Sequence, residues 1–360
     1  MKRATLALAM LGTLGTAYAQ SSVTLFGVVD VGVTYGRGDV SNKTSLSSSN
    51  NASSRIGFRG VEDLGGGMSA GFWLEGSLVP DTGTGAATTT NNQASGTPAP
   101  IGGAQGLTFN RRSTVSLAGS WGELRLGRDV TPQEWNHVLF DPFFNVGSGA
   151  SQAYHGYVAL HSIPVSTGMG PHTRASNTIG YLLPAGLGGF YGQAMHYLGE
   201  NNSGTPNSSD GTGTGLRLGY AGGPFDVAVA TARTTYLVGD VSTTNIGASY
   251  AFGFGKLEAA YDRTKSGTVT GKGYLIGGIV PVGAGEFKAS YSAFKVAAPG
   301  THSTKKLALG YAHNLSKRTA LYANVAHVSN SGGASTALGG AVTSADGSST
   351  AVDIGVRHSF

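Results

Sequence analysis

The chain has 360 residues, of which 59 are Gly, 12% are charged and none is Cys. So many glycines with so few charges disfavour helices, because each interior Gly costs about 0.5–1 kcal/mol relative to Ala. The lack of Cys excludes a disulfide scaffold, a zinc site with Cys ligands and a thiol nucleophile. The formal net charge of +5 forms no Lys/Arg cluster, which argues against a nucleic-acid partner.

The N-terminal residues have the pattern of a secretory signal peptide. Basic residues at positions 2 and 3 precede an apolar run over about 4–15, and Ala-Tyr-Ala ending at Ala19 has the small–x–small form of a cleavage site. The run is shorter than the ~20 residues of a spanning helix. The alternative is a buried helix at the start of a core. We predict cleavage between Ala19 and Gln20, which leaves residues 20–360 with 22 basic and 19 acidic residues.

The rest of the chain alternates between apolar and polar residues. Over residues 23–35 one parity holds Val, Leu, Gly, Val, Val, Val and Tyr, and the other holds Thr24, Asp30 and Thr34. A period of two with one apolar face is typical of a half-exposed strand. The same split recurs at 112–117, 123–126, 216–220, 225–229, 256–261, 287–291 and 352–360.

Two kinds of connection separate these segments. Seven short turns carry Gly, Pro or Asn, at 63–67, 119–122, 184–189, 221–224, 252–255, 281–285 and 314–317. Eight longer polar stretches lie between them, at 37–52, 80–106, 130–173, 200–211, 235–241, 265–271, 297–303 and 331–348. This pattern predicts a 16-stranded antiparallel transmembrane β-barrel, because such barrels have even strand numbers, short turns at one end and long loops at the other. Closure removes the unpaired edge, and sixteen strands leave an aqueous lumen.

A secreted soluble β-sandwich or β-helix is the alternative fold. It would turn the apolar parity into a core, whereas the polar parity here carries full charges at mid-strand, at Asp226, Glu258 and Lys288. In a barrel, aromatic residues near strand ends mark the membrane interfaces. The candidates for this role are Tyr35, Phe72, Tyr220, Tyr261, Tyr291 and Phe360.

Several segments resemble the general porins of beta-proteobacteria. They are SSVTLFGVVDVGVTY at 21–35, SRIGFRGVEDLGGGMSAGFWLE at 54–75, FNRRSTVSLAGSWGELRLGRDVTP at 109–132, RASNTIGYLLPAGLGGF at 174–190 and NLSKRTALYA at 314–323. The terminal Phe360 is similar to the outer-membrane assembly signal of that family. The resemblance implies a homotrimer of channels in the outer membrane of a Gram-negative bacterium, each narrowed by its third long loop folded into the lumen.

The resemblance also implies the partners. They are outer-membrane lipid and lipopolysaccharide, the barrel-assembly machinery, and the small hydrophilic solutes and ions that diffuse through the channel. No cofactor is expected. A substrate-specific porin with a binding site at the constriction is the alternative within transport.

Strand parity predicts which charges face the lumen. Ile56 and Phe58 share one face of their strand, which turns Arg55 and Arg59 inward. Loop 130–173 contains two carboxylates and no Lys or Arg. A basic wall opposite this loop would give mild anion selectivity, because rings of like charge select ions. The predicted constriction residues are Arg55, Arg112, Arg174, Arg59, Arg125, Glu134 and Asp141, and the resemblance favours the first three.

Acidic residues on neighbouring strands offer the predicted arginines alternative partners. Each could instead pair across strands with Glu75, Glu123 or Asp30, and a paired Arg would still contribute to the field in the lumen. Arg128 falls on the lipid-facing parity, which predicts that it lies at a strand end or a β-bulge.

Catalytic and metal-binding patterns are weak. Ser69 lies in a G-x-S-x-G match, but that motif requires a strand–turn–helix elbow, whereas here it opens a strand. A barrel lipid hydrolase would need Ser69 and a His close together. The four histidines of loop 130–173 lack metal-ligand spacing such as H-E-x-x-H. We therefore predict no metal site and no enzyme activity. These histidines are His137, His155, His161 and His172.

Overall fold

The computed structural model describes residues 22–89, 92–93, 106–164, 171–297 and 301–360. The predicted signal peptide, with its cleavage site at Ala19 and Gln20, lies outside the described residues. The described chain forms eighteen strands and two helices: β1 (Ser22–Arg37), β2 (Lys43–Ser48), β3 (Arg55–Gly65), β4 (Met68–Val79), β5 (Thr84–Gly85), β6 (Arg112–Gly119), β7 (Gly122–Val130), α1 (Pro132–Leu139), α2 (Gln152–His161), β8 (Arg174–Leu182), β9 (Phe190–Tyr197), β10 (Gly213–Gly222), β11 (Phe225–Thr234), β12 (Val241–Phe252), β13 (Gly255–Ser266), β14 (Val269–Val282), β15 (Gly285–Ala297), β16 (Ser303–Asn314), β17 (Thr319–Ser331) and β18 (Ser348–Ser359).

The strands close into a single antiparallel barrel. Each long strand pairs with its neighbour in sequence, and β1 pairs with β18 over ten residue pairs from Val28–Ser359 to Arg37–Thr350. β2 and β3 together occupy one position beside β1, since β1 pairs with β3 in its first half and with β2 in its second. Among the described residues, the short strand β5 pairs with the end of β4, at Leu78 and Val79. Because β2 and β3 share one position and β5 is a two-residue strand at the end of β4, the wall has sixteen strand positions. The predicted 16-stranded barrel is therefore confirmed.

The alternation in the sequence corresponds to the two faces of this wall. On β10, Leu216 and Leu218 are 52% and 48% exposed, whereas Arg217 between them is 7% exposed. On β17 and β18, Leu321 and Ile354 face outward and Asn324 and Asp353 face inward, whereas Val328 is an apolar side chain buried on the inner face. Five of the six interface aromatics predicted from the sequence are at least 39% exposed on the outer face.

The predicted connections hold with two corrections. All seven short turns join consecutive strands. Loop 37–52 contains the extra strand β2, and the segment predicted as a long loop at 265–271 is a tight turn formed by Gly267 and Thr268 between β13 and β14. Gly267 has φ of 55°, and Gly is the residue that adopts this left-handed conformation without a steric penalty, so the two strands extend to the turn.

Loop 130–173 folds into α1 and α2. Pro132 begins α1, and the hydroxyl of Ser151 accepts a hydrogen bond from the backbone N–H of Tyr154 to cap α2. Within the described ranges, neither helix has the length and apolar character needed to cross a membrane. α1 contacts β9–β12, and α2 contacts β13–β16.

Glycines on the inner face of the wall make this close approach possible. A Cβ at Gly273 would lie 2.7 Å from the Ala153 Cα of α2, and one at Gly247 would lie 2.0 Å from the Phe140 ring. Both glycines are buried; Gly247 shares its strand parity with the buried Asn245, and Gly273 shares its parity with the buried Leu275. Loop 130–173 therefore packs against the inner face through positions that only Gly can occupy without displacement.

Candidate functional site

A charged cavity lies between the wall and loop 130–173. Its volume is about 730 Å³. Five basic and two acidic side chains line it, a formal balance of +3; they are Arg55, Arg111, Arg174, Lys288, Arg357, Glu134 and Glu286. The loop contributes Glu134, Phe144 and Tyr154 to the same cavity. The basic groups come from β3, β8, β15, β18 and the residue before β6, so they line the cavity from several different strands of the wall.

Two of the arginines share one carboxylate. Arg111 Nε donates a hydrogen bond to Glu75 Oε1 at 2.5 Å, and Arg55 Nε lies 3.8 Å from the same oxygen. The indole N–H of Trp73 donates to the other oxygen, Glu75 Oε2, at 3.0 Å. Arg55 also donates to the Ser53 carbonyl at 2.9 Å. One carboxylate thus holds two guanidinium groups at the cavity and compensates only one of their charges.

On the opposite side of the cavity, a buried carboxyl from the loop lies among basic groups. Glu134 of α1 is 5% exposed. Burial raises its pKa to about 7, although the charges of His137, Arg174 and Arg111 act to lower it. Arg174 begins β8 and donates to the Thr173 hydroxyl at 3.5 Å. The charge of this lining carboxyl therefore changes near neutral pH.

Sequence reasoning missed three of the five basic lining residues. Lys288 of β15 lies 3.0 Å from Glu286 and over the ring of Phe144, 5.1 Å from its centroid. Arg357 of β18 and Arg111 complete the set. The sequence placed Lys288 on the polar parity of its strand without assigning it to the constriction, and the same parity applied to β18 would have turned Arg357 inward as well. Arg111 precedes its strand, so parity gives no assignment for it.

The other three predicted arginines do not line this cavity. Arg59 lies over the rings of Phe26 and Trp73, and Arg112 lies 4.6 Å from the centroid of Trp73 and 3.7 Å from Asp129. Arg125 donates to Glu123 at 2.7 and 2.8 Å and to Asp129 at 3.2 Å. Arg59 and Arg112 therefore have aromatic or cross-strand partners, whereas both carboxylate partners of Arg125 lie on its own strand, β7. These arginines form a charged ladder on the strands from β3 to β7.

Asp141 and Arg128 have local partners. The carboxylate of Asp141 accepts from the N–H groups of Phe143 at 2.8 Å and Ser151 at 3.0 Å, so it fixes the turn between the two helices and does not line the cavity. The register of β7 against β8 shifts between Gly127 and Asp129, which confirms the bulge predicted at Arg128. The Arg128 guanidinium donates to the Ser176 hydroxyl at 2.7 Å.

The histidines of loop 130–173 form part of an aromatic stack. Tyr157 lies between His137 and His161, with ring centroids 4.4 Å apart on both sides. Burial lowers the pKa of His155 and of His161 to about 3, so both are neutral at physiological pH. In the part of the chain that the structure describes, no group of three His, Asp or Glu side chains has the arrangement of a metal site. Ser69 pairs with Asp63 and Ala118 in the ladder, and neither neighbour is a base of the kind that a serine hydrolase uses.

Comparison with known proteins assigns the chain to a family. The Gram-negative porin family model matches residues 4–333. The chain is 36% identical to outer membrane porin protein 32 of Delftia acidovorans and 28% identical to an outer membrane porin of Bordetella pertussis, in both cases over the full length of both chains. The anion-selective porin from Comamonas acidovorans has a similar structure, with 35% identity, a TM-score of 0.81 and coverage of 95% of this chain and 100% of that one.

These relatives are channels and not enzymes. The barrel fold, the charged side chains inside it and the full-length similarity to porins all indicate the same kind of protein. The chain belongs to the Gram-negative porin family and forms an outer-membrane channel for the passive diffusion of small solutes.

Proposed function

We propose that this porin prefers anions, and that the basic cavity at loop 130–173 sets the preference. The observation that carries the proposal is the balance of five basic against two acidic side chains around a cavity of about 730 Å³. The loop folds into the lumen and narrows it there, so that every permeating ion passes this group of charges. The name of the Comamonas acidovorans relative, an anion-selective porin, supports a preference for anions over cations.

The candidate residues contribute to different extents. Arg55 and Arg174 act directly at the constriction, and Glu134 opposes them from the loop. Arg59, Arg112 and Arg125 contribute from the wall, reduced by Glu123 and Asp129. Asp141 supports the loop turn and contributes least to the field.

The preference is moderate in size. Two unit charges 4 Å apart in water interact by about 1 kcal/mol, and the screening length at ~0.15 M salt is about 8 Å. A net charge of this order around a hydrated constriction favours chloride over potassium by a few-fold. The proposal therefore concerns a general diffusion channel with a bias and not an absolute filter.

A bilayer experiment tests the proposal. The purified protein is reconstituted in a planar bilayer, and the zero-current potential is measured under a KCl gradient. We expect stepwise conductance and a potential favouring chloride. Arg55→Gln and Arg174→Gln should each reduce the preference, whereas Arg233→Gln should not. Arg233 is 72% exposed, is paired with Asp240 and lies outside the cavity.

Two results would contradict the proposal in different ways. A wild-type potential favouring potassium would reject the assignment of the basic cavity while leaving the channel intact. Flux that saturates for one solute class, competed by that solute alone, would favour the substrate-specific alternative with a binding site at the constriction.

The assembly partners belong to the same proposal. We expect a homotrimer, measurable by light scattering of the detergent complex, with lipopolysaccharide and outer-membrane lipid around it. Phe360 would act as the recognition residue for the barrel-assembly machinery. Its backbone exchanges hydrogen bonds of 3.0 and 3.1 Å with Gly27, and its ring lies against that glycine, so that the chain terminus is integrated into the closing pair β1–β18.

A further inference from the structure

A second cavity adjoins α2 at the end of the barrel that carries the long loops. Its volume is about 410 Å³, and its walls are α2, the β15–β16 pair and segment 333–336 of the loop after β17. Among the described residues that line it, none is Lys, Arg, Asp or Glu, so we call it the neutral cavity. It shares no lining residue with the basic cavity, although α2 contributes Tyr154 to the basic cavity and His155 to the neutral one.

Hydrogen bonds hold segment 333–336 in place. The side-chain amide of Asn330 donates to the Thr336 carbonyl at 3.0 Å and accepts from the Thr336 backbone N–H at 3.0 Å. The backbone N–H of Gly333 donates to the Asp346 carboxylate at 2.7 Å. The outer wall of the neutral cavity is therefore fixed by bonds within its own loop, and the cavity is preformed, as small-molecule sites usually are.

The α2 wall of the neutral cavity offers a donor and an acceptor that no described residue uses. Gln152 is 2% exposed, and its amide Nε2 has no hydrogen-bond partner. His155 Nδ1 lies 2.9 Å from the Ser151 carbonyl, which can only accept, so the proton is on Nδ1. Because the pKa of His155 is lowered to about 3, the ring is neutral and its Nε2 is an acceptor. A buried donor without a partner is costly, so an acceptor on a ligand would be stabilised beside Gln152.

An aromatic ring and several hydroxyl groups complete the lining. Phe294 of β15 is 6% exposed, and its ring lies between α2 and β14. A Cβ at Gly156 or at Gly271 would collide with this ring, so the two glycines make room for it. Thr304 and Ser335 add hydroxyl groups from two other walls. The neutral cavity thus combines an apolar ring with neutral hydrogen-bonding groups.

We propose that the neutral cavity is a binding site for pyranose sugars and similar uncharged polyols that enter the channel. A hydroxyl group both donates and accepts, so adjacent hydroxyls can accept from Gln152 and donate to His155. The C–H face of the sugar would lie against Phe294. An ionic solute would lose hydration here without meeting an opposite charge. The site is separate from the basic cavity, and the proposal does not depend on the anion preference.

Saturation-transfer NMR on the mature protein, in a detergent without a sugar headgroup, tests this assignment with glucose as the probe. Wild type should bind glucose saturably, and an equal concentration of gluconate should not displace it. Gln152→Leu should bind glucose about 5-fold more weakly, because one hydrogen bond is lost. Ala159→Leu should bind about 10-fold more weakly, because Ala159 is an exposed lining residue and the larger side chain occupies the space. The matched control Ala185→Leu makes the same change in an exposed short turn at the opposite end and should bind as wild type.

Three results would overturn the proposal. Unchanged glucose binding in both Gln152→Leu and Ala159→Leu would place the bound sugar elsewhere, as would an equal loss in Ala159→Leu and Ala185→Leu. Displacement of glucose by gluconate would show that the site does not discriminate by charge. Displacement by phenol at equal concentration would make the cavity a site for apolar rings. The zero-current potential in a KCl gradient is recorded for every protein, so that failure of the anion preference is seen separately.

Discussion

Ser148 donates two hydrogen bonds to the carboxylate of Asp353, one from its backbone N–H and one from its hydroxyl, each at 2.9 Å. The Ser148 carbonyl in turn accepts from Lys306 Nζ at 3.0 Å. Asp353 is on β18 and Lys306 is on β16, so Ser148 alone fixes loop 130–173 to two strands of the wall. The position of the loop is therefore determined by specific bonds as well as by packing.

Asp353→Asn should loosen that attachment. An amide offers one oxygen where the carboxylate offers two, and hydrogen bonds to a charged group contribute about 1.5–3 kcal/mol each. We expect added current noise and sub-conductance steps in single-channel records, with the barrel still folded. Glu123→Gln removes the same charge from the wall without touching the loop, and its records should remain quiet. Equal noise in both variants would mean that wall charge, and not the attachment, steadies the current.

Gly273→Ala should displace α2 from the wall. The added Cβ would lie 2.7 Å from the backbone Cα of Ala153, and backbone cannot rotate away as a side chain can. We expect a loss of about 1–3 kcal/mol in unfolding free energy, measured by urea titration of the detergent complex. Gly253→Ala is the control, because a Cβ there meets no atom within 4 Å. Unchanged stability of the Gly273 variant would imply that α2 does not press on β14.

Much of the barrel could be predicted from the sequence, because strand parity is a local property. It assigned the faces of Arg55 and Arg125 and predicted a strand end or a bulge at Arg128. The cavity could not be predicted in the same way. Arg357 and Arg55 are 302 positions apart in the chain and meet only because β18 pairs with β1 on closure. Which arginine remains uncompensated depends on neighbours such as Glu75 and Asp129, whose distances parity does not give.

Arg357→Gln should reduce the chloride preference more than Arg112→Gln. Arg357 lines the cavity, and its Nε has no hydrogen-bond partner among the described residues. Arg112 lies outside the cavity, next to Asp129 and against Trp73, so part of its field is already balanced. The zero-current potential in a KCl gradient measures both variants. A larger loss of chloride preference in Arg112→Gln than in Arg357→Gln would contradict this ranking and would support the sequence-based prediction that Arg112 lies at the constriction.

Glu134 should make the selectivity depend on pH. Burial raises its pKa to about 7, against the opposing charges of His137, Arg174 and Arg111. Above that pH the ionised carboxylate offsets one lining cation, and below it the neutral acid leaves the cations uncompensated. The chloride preference should therefore rise as the pH falls through about 7. His155 and His161, with pKa values of about 3, remain neutral across this range and do not produce the change.

Glu134→Gln isolates the contribution of Glu134 to the pH dependence, because the amide has nearly the same shape as the carboxyl group and does not titrate. The variant should show the higher preference of the acidic state at every pH between about 6 and 8, with a flat profile measured by zero-current potential. The same potential is recorded for Glu123→Gln, whose carboxylate is bound to Arg125 away from the cavity, and this control should keep the wild-type pH profile. A pH profile in Glu134→Gln that follows wild type would assign the titration to another group and remove Glu134 from the constriction.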